Sequence, residues 1–173
     1  MNSVRIVCFA VVTGLLFTSA ANAQEGPKPG PEHALLKKME GTWDATMKFG
    51  GMESKGVAVY KMELGGLWLA CTFEGDIFGA KFTGKGLDSY DPARKKYVGV
   101  WVDSMSTAPM VMEGTHDKDK KTTTMSGEGP GMDGKATKYK SVSEMKDDNT
   151  MLFSMYMGDG KEPAFVITYK RRK

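Results

Sequence analysis

Few side chains in this sequence are suited to acid–base or nucleophilic chemistry. The chain has two histidines, His33 and His116, and no serine in the Gly-x-Ser-x-Gly pattern that presents a hydrolase nucleophile. His116 stands beside Asp117 in a polar run that is typical of a solvated turn, so half of a catalytic triad is the less favoured interpretation. Two lone histidines also fall short of the ligand set of a zinc site. The sequence therefore favours a protein that is not a hydrolase, and more generally one that is not an enzyme.

Methionine pairs are the next candidates for chemistry. Met110 and Met112 stand two residues apart, as do Met155 and Met157, and in a strand each pair lies on one face. Thioethers on one face could form a soft Cu(I) site. They equally suit flexible core packing or the lining of a ligand site, because Met is unbranched and polarizable. A strand with one apolar face has apolar residues at alternate positions, so Met-x-Met pairs arise without a metal site. The sequence therefore favours core packing or a ligand lining over a Cu(I) site.

Carboxylates interrupt several otherwise apolar segments. Asp103, Glu113 and Glu144 each lie in such a segment, and most of these side chains are expected to point to solvent. Asp103 follows an aromatic strand and is the exception that could face inward. With Tyr90 and Tyr139 it is predicted to form the polar part of an interior binding site.

The first 23 residues have the layout of a secretory signal peptide. Arg5 supplies the positive start, residues 6–17 form an apolar run, and Ala21-Asn22-Ala23 is a small-residue cleavage site. The apolar run is too short to span a bilayer, which takes about 20 residues. The sequence therefore predicts an exported protein, periplasmic or secreted, with residues 1–23 removed.

The mature protein is expected to begin at Gln24, because signal peptidase cleaves after the small residue that ends such a site. N-terminal sequencing of the exported protein measures this directly. An uncleaved form that stays in the membrane would contradict the prediction.

The remaining 150 residues, Gln24 to Lys173, suffice for one domain with a real core. Without Arg5 there are 23 basic and 21 acidic residues, and this near balance gives no basis for nucleic-acid binding. No second apolar stretch could span a membrane, so stable membrane insertion is not expected. Loss of Cys8 leaves Cys71 alone, which is predicted to be a buried apolar residue in a strand.

Residues 24–30 form a linker rich in proline and glycine, and a single domain is predicted for residues 31–173. It opens with a helix of about nine residues that starts at Pro31 and ends at Gly41. Everything after Gly41 alternates between strand and turn patterns. Ten strands are predicted, at residues 42–49, 56–64, 67–74, 77–90, 97–102, 109–115, 122–127, 137–145, 151–157 and 164–169.

Short turns between consecutive strands indicate antiparallel hairpins in series. Ten such strands close most simply into an all-β, antiparallel up-and-down barrel. A sandwich of two sheets is the structural alternative.

The start and end of the domain carry a known combination of motifs. Gly41-Thr42-Trp43 opens the first strand directly after the helix, and Arg171 and Arg172 close the last. This combination resembles the lipocalin and calycin barrels. The resemblance implies that Trp43 plugs the closed end of the barrel and that one of the two arginines stacks on its indole.

Longer motifs make the resemblance more specific. Together they are similar to a family of exported bacterial domains of unknown function with a calycin-like barrel, over nearly all of the mature chain. The family implies a fold and a compartment but no catalytic residues and no cofactor. The motifs are Pro31-Glu32-His33, Gly65-Gly66-Leu67-Trp68, Tyr90-Asp91-Pro92, Trp101-Val102-Asp103-Ser104-Met105, Glu113-Gly114-Thr115, Met155-Tyr156-Met157 and Tyr169-Lys170-Arg171-Arg172.

These features favour a non-catalytic binding protein for a small, largely apolar molecule. The predicted lining is Met110, Met112, Met155 and Tyr139, reached from the end opposite Trp43. One alternative is a haem or Cu(I) protein, since barrels related to nitrobindin resemble this chain in plan and bind haem through a late-strand His. Residues 164–169 contain no His, which departs from that pattern. The other alternative is a scaffold or interaction domain with a packed core.

Overall fold

The computed structural model describes residues 26–77, 79–131 and 134–173. Ten antiparallel strands close into one barrel in which each strand pairs with its chain neighbours and the last pairs with the first. This confirms the predicted all-β up-and-down barrel with one short helix. The helix is α1 His33–Lys37, and the strands are β1 Gly41–Phe49, β2 Met52–Glu63, β3 Trp68–Ile77, β4 Ala80–Asp91, β5 Lys96–Asp103, β6 Met110–Asp117, β7 Thr122–Pro130, β8 Ala136–Asp147, β9 Thr150–Met157 and β10 Phe165–Arg171.

β2 starts at Met52, before its predicted start at residue 56, and two further strand bounds are wrong around residue 77. Ile77 ends β3 instead of beginning a long bent strand, and β4 starts at Ala80. Gly79 makes this turn with φ at 86°, a region that L side chains avoid. The Asp76 carboxylate accepts a hydrogen bond from the Gly79 N–H at 2.6 Å, which fixes the turn.

The helix α1 is shorter than the sequence predicts, with five residues in place of about nine. Turns with i→i+3 hydrogen bonds flank it on both sides, so the compact segment still runs from Gly30 to Glu40. It lies across one end of the barrel, where buried Leu36 packs with Leu69 and Tyr97. A helix this short is held by such packing and not by its own hydrogen bonds. We call this end the closed end and the opposite end the mouth.

Trp43 lies at the closed end and is 0% exposed. Its Nε1 donates a hydrogen bond to the Met39 carbonyl at 2.9 Å. The Arg171 guanidinium lies 4.1 Å from the centroid of the indole ring. It also donates hydrogen bonds to the carbonyls of Lys38 (2.6 Å) and Glu40. Arg171 is therefore the arginine that stacks on the indole and closes the barrel.

Arg172 has a different role from its neighbour. Its side chain lies on the outer face and donates to the Asp44 carboxylate at 2.8 and 2.6 Å. Its backbone N–H donates to the Thr42 carbonyl at 2.8 Å. Arg172 therefore fastens β10 to β1 from outside and does not cover Trp43.

The inward face of the wall can be traced from the strand register, because residues opposite one another in an antiparallel pair share a face. Glycines occupy several inward positions of β4 and β5, and neighbouring side chains cover them. A Cβ on Gly84 would clash with the Trp101 ring, and one on Gly99 would clash with Asp88 Oδ1. One inward row runs through Leu69, Asp88, Gly99, Met112, Gly127, Tyr139 and Met157.

Part of the predicted linker is described. Residues 26–29 are exposed and have no regular structure, and Pro29 lies close to Gly66 at the closed end. The predicted signal peptide, residues 1–23, lies outside the described residues. In the described part of the chain, no helix has the length and apolar character needed to cross a lipid bilayer.

Candidate functional site

The mouth half of the barrel has an apolar inward face that keeps accessible surface. An inward side chain in a closed barrel can be exposed only to the interior or through the mouth, because the wall covers it from outside. Half-buried side chains from six strands share this property, and Met155 on β9 is more deeply buried beside them. The half-buried side chains are Met47, Phe82, Trp101, Met110, Met112, Phe153 and Phe165.

Four predicted lining residues lie on this inward face. Met112 and Tyr139 occupy the same row with only Gly127 between them, about 10 Å apart at two strand spacings. Met155 lies opposite Phe165 on the neighbouring strand, and Met110 contacts the wall at Gly129. The Tyr139 hydroxyl donates a hydrogen bond to the Pro130 carbonyl at 2.6 Å. The structure therefore brings these four residues together in the mouth half.

The predicted grouping of Tyr90 with Asp103 and Tyr139 is wrong in its geometry. Asp103 lies at the mouth, where its carboxylate accepts hydrogen bonds from Trp101 Nε1 at 3.0 Å and from a backbone N–H at 2.9 Å. Tyr90 lies at the closed end, edge-on to Tyr97 with ring centroids 5.1 Å apart. Tyr97 and Asp103 are six residues apart on β5, which is about 20 Å. Tyr90 and Asp103 therefore lie at opposite ends of the barrel. The sequence alone does not specify the position of each residue along the barrel axis.

Both histidines lie toward the closed end and are engaged locally. His33 Nδ1 accepts a hydrogen bond from the Gly30 N–H at 3.0 Å, so a neutral ring carries its proton on Nε2. His116 lies on β6 and not in a turn, and its Nδ1 is 3.0 Å from the Thr123 hydroxyl. Burial lowers the pKa of His116. In the described part of the chain, no hydrogen bond joins either ring to a serine.

A polar cluster that sequence reasoning missed lies at the floor of the interior, next to the closed end. Tyr60 lies opposite Cys71 across β2 and β3, and its hydroxyl interacts with the thiol of Cys71 and the hydroxyl of Tyr169. Burial raises the pKa of Cys71 to about 12 and the pKa of both tyrosines above the usual range. Cys71 is buried, as predicted, and stays a thiol at neutral pH, which does not suit a nucleophile.

Asp88 belongs to this floor cluster and is its one carboxyl group. It lies within electrostatic range of Tyr60 and Cys71, and burial raises its pKa from 3.8 to about 7. It has no hydrogen bond or salt bridge to any other described residue. Its row neighbours Leu69 and Gly99 are buried while Asp88 keeps accessible surface. The accessible part of this carboxyl group therefore faces the interior of the barrel.

The charge inside the barrel is negative in the described part of the chain. Asp88 at the floor and Asp103 at the mouth are the inward carboxylates, and the lysines of the ten strands lie on outward positions. Arg171 is the inward cation, and backbone carbonyls and the Trp43 ring already engage it. His116 also faces inward, and because burial lowers its pKa its ring is neutral at pH 8. The other predicted acidic positions face solvent, as expected: Glu113 pairs with Arg94 at 2.7 Å, and Glu144 pairs with Lys146 at 2.7 Å.

The outer surface carries two open grooves. One, of about 490 Å³, is lined mainly by charged and backbone groups of β6 to β8, such as Glu113 and Lys138. The other, of about 540 Å³, runs between residues 48–51 and 163–168 beside the mouth. Neither groove includes Asp88 or Trp101. The candidate site is therefore the interior, with its apolar mouth and its carboxyl at the floor.

Solved structures with the same fold are distant in sequence. Rv2717c from M. tuberculosis has a TM-score of 0.61 at 13% identity, covering 83% of this chain and 99% of that chain. The S-type phycobiliprotein lyase CPES from Guillardia theta has a TM-score of 0.55 at 10% identity, covering 82% and 93%. Both likenesses concern the barrel fold alone. No curated protein is significantly similar to the chain. Residues 28–172 match the family described as "Protein of unknown function (DUF1579)", and the chain therefore belongs to the DUF1579 family.

Proposed function

We propose that the protein is an exported, non-catalytic binding protein that holds a small, largely apolar molecule inside its barrel. The observation that carries this proposal is the accessible apolar surface on the inward face of the mouth half. Met110, Met112 and Trp101 are half-buried there although the barrel wall covers them from outside. These side chains are accessible only through the mouth or from space inside the barrel, and a bound ligand would cover them.

The residue types on this face suit a ligand of adaptable shape. Thioethers of Met110 and Met112 adjust to different apolar surfaces and require no hydrogen bonds. Trp101 lies opposite Met110 and adds flat apolar area there, as Phe165 does opposite Met155. The interior of a ten-stranded barrel can exceed what its own side chains fill, since eight strands already can leave room for one small ligand.

A neutral apolar fluorophore such as N-phenyl-1-naphthylamine is expected to bind with micromolar affinity, which corresponds to about 8 kcal/mol. Met112→Lys should abolish this binding, because an ammonium group facing an apolar interior is costly to desolvate. Fluorescence titration measures both. Val111→Lys is the matched control, since Val111 is the next residue, faces outward and is 54% exposed. It should bind the fluorophore as the wild type does.

A second variant keeps the test informative if Met112→Lys does not fold. Met112→Trp should fill the space near the mouth without adding charge, and binding should weaken by about tenfold or more. Circular dichroism and urea unfolding show whether each variant is folded. Unchanged binding in both Met112 variants, or no binding by the wild type, would contradict the proposal.

An interaction domain remains the second candidate, because one observation favours it. Leu87, Val100 and Val111 lie opposite one another on β4, β5 and β6, face outward and are 40–54% exposed. Such a row on the outer wall suits contact with another apolar surface. If the wild-type protein binds no apolar fluorophore, this candidate takes precedence over the interior site.

A further inference from the structure

We infer that the molecule held in the barrel carries one positively charged nitrogen, an amine or a quaternary ammonium, and that Asp88 receives it at the floor. This inference rests on the proposed function, because it concerns the ligand of the same interior. The proposed ligand thus has a positively charged end at the floor and an apolar body in the mouth half.

The first observation is that Asp88 lacks a partner. Buried carboxylates are normally paired with a cation or accept several hydrogen bonds, because an isolated charge is costly to remove from water. Asp88 has neither among the described residues, and its accessible surface faces the interior. A ligand with an N⁺–H or N⁺–CH₃ group supplies the charge that the wall does not.

The second observation is the aromatic surface between this carboxyl group and the mouth. The Trp101 indole covers Gly84 and Gly86, which precede Asp88 on the inward face of β4. Its Nε1 donates to Asp103 at the mouth, so the ring lies on the mouth side of Asp88. Aromatic faces attract ammonium groups. A cation that enters from the mouth therefore meets an aromatic ring before it reaches the carboxyl group at the floor.

The third observation is the sign of the interior charge. A ligand with a carboxylate or phosphate head would meet Asp88 at the floor or Asp103 at the mouth, with no free inward cation in the described part of the chain to receive it. Like charges at short range disfavour such a ligand. A cationic head group is favoured at both positions.

The fourth observation is the route from the floor to the apolar lining. Asp88 and Met112 lie in one inward row, separated by Gly99, at about 10 Å. Gly99 carries no side chain, and the Asp88 carboxyl and the Met125 methyl group lie over it. A ligand with its nitrogen at Asp88 would therefore extend its apolar part along the flexible Met125 side chain to the methionines of the mouth half.

Displacement of N-phenyl-1-naphthylamine by three C12 compounds tests the inference: dodecylamine, dodecanol and dodecanoate, measured at pH 8. In the wild type, dodecylamine should displace the fluorophore at a concentration about tenfold or more below that of dodecanol, a difference of about 1.4 kcal/mol. Dodecanoate should be the weakest competitor. Asp88→Asn should bring the amine and the alcohol to similar affinity, because it keeps the shape of the side chain and removes its charge.

Glu74→Gln is the matched control, since it removes one negative charge from an exposed, outward position of β3. The preference for the amine should persist in this variant. Unchanged displacement by dodecanol in Asp88→Asn would show that the interior is intact.

The outcomes separate the two proposals. Equal affinity of amine and alcohol in the wild type, or a preference that survives Asp88→Asn, would overturn the inference and leave the binding protein standing. Loss of the preference in Glu74→Gln would also overturn it, because the amine would then be responding to overall charge. Failure of all three compounds and of the fluorophore to bind would overturn the proposed function itself.

Discussion

Trp43→Ala is expected to lower the free energy of unfolding by about 3 to 5 kcal/mol, the range for removing a fully buried aromatic side chain. The indole is 0% exposed, and its loss would leave a cavity at the closed end. It would also leave the Met39 carbonyl without its donor and the Arg171 guanidinium without the ring beneath it. Urea unfolding followed by circular dichroism measures the change.

Trp68→Ala is the matched control for this substitution. Trp68 begins β3 on the outward face and is half-buried, so its removal opens no interior cavity. We expect a loss of about 1 kcal/mol, typical for a partly exposed position. A loss below about 1 kcal/mol for Trp43→Ala would contradict the role of the indole as the plug of the barrel.

The second large effect concerns the dependence of stability on pH. Asp88 has a pKa of about 7 in the folded protein against 3.8 as its ordinary value, because burial disfavours the charged form. Between pH 3.8 and about pH 7, Asp88 is therefore protonated in the folded state and ionised in the unfolded state. Wild-type stability should fall as the pH rises through this window and level off above pH 7, by at most about 4 kcal/mol.

Asp88→Asn removes this contribution because asparagine does not titrate. The difference in unfolding free energy between the variant and the wild type should therefore grow in favour of the variant from pH 4 to pH 8. The groups facing Asp88 do not titrate in this window, since burial raises the pKa of Tyr60, Cys71 and Tyr169. Urea unfolding of both proteins at pH 4, 6 and 8 measures the difference.

Surface carboxylates titrate in both proteins and cancel from that difference. Glu74→Gln serves as a further control, because an exposed residue should shift stability by a small amount with little dependence on pH between 5 and 8. Parallel stability curves for wild type and Asp88→Asn would show that Asp88 is not in the low-dielectric environment described above.

The fold was predictable because the alternation of residue types is strong where one face of a strand is buried and the other is wet. In β1, Trp43, Ala45 and Met47 point inward between polar residues, and the structure has the same pattern. The turns carried glycine, proline and aspartate in the expected places. The alternation and the turns together predicted the number and order of the strands. Ten consecutive antiparallel strands in turn predicted a barrel.

The floor of the site was not predictable in the same way, because β4 reverses the usual pattern. Leu87 points outward and is 41% exposed, whereas Asp88 points inward beside Gly84 and Gly86. Because these inward positions hold glycines and a carboxyl group, this part of β4 lacks the alternation of apolar and polar residues that marks a buried strand face in a sequence. Only a fixed register with β3 and β5 shows which face Asp88 occupies, and register depends on long-range pairing. For the same reason the sequence does not show that Tyr90 lies at the opposite end of the barrel from Asp103.

The seam between β1 and β10 has a consequence for the order in which this chain can be built. The residue that closes the barrel, Arg171, is separated from its partner Trp43 by almost the whole domain, so no shorter nascent chain can complete the structure. Until the last strand leaves the ribosome, both β1 and β9 present unpaired edges. Pairing across such a sequence distance is slow to form. The barrel therefore stays open, with two unpaired strand edges, until synthesis of the chain is almost complete.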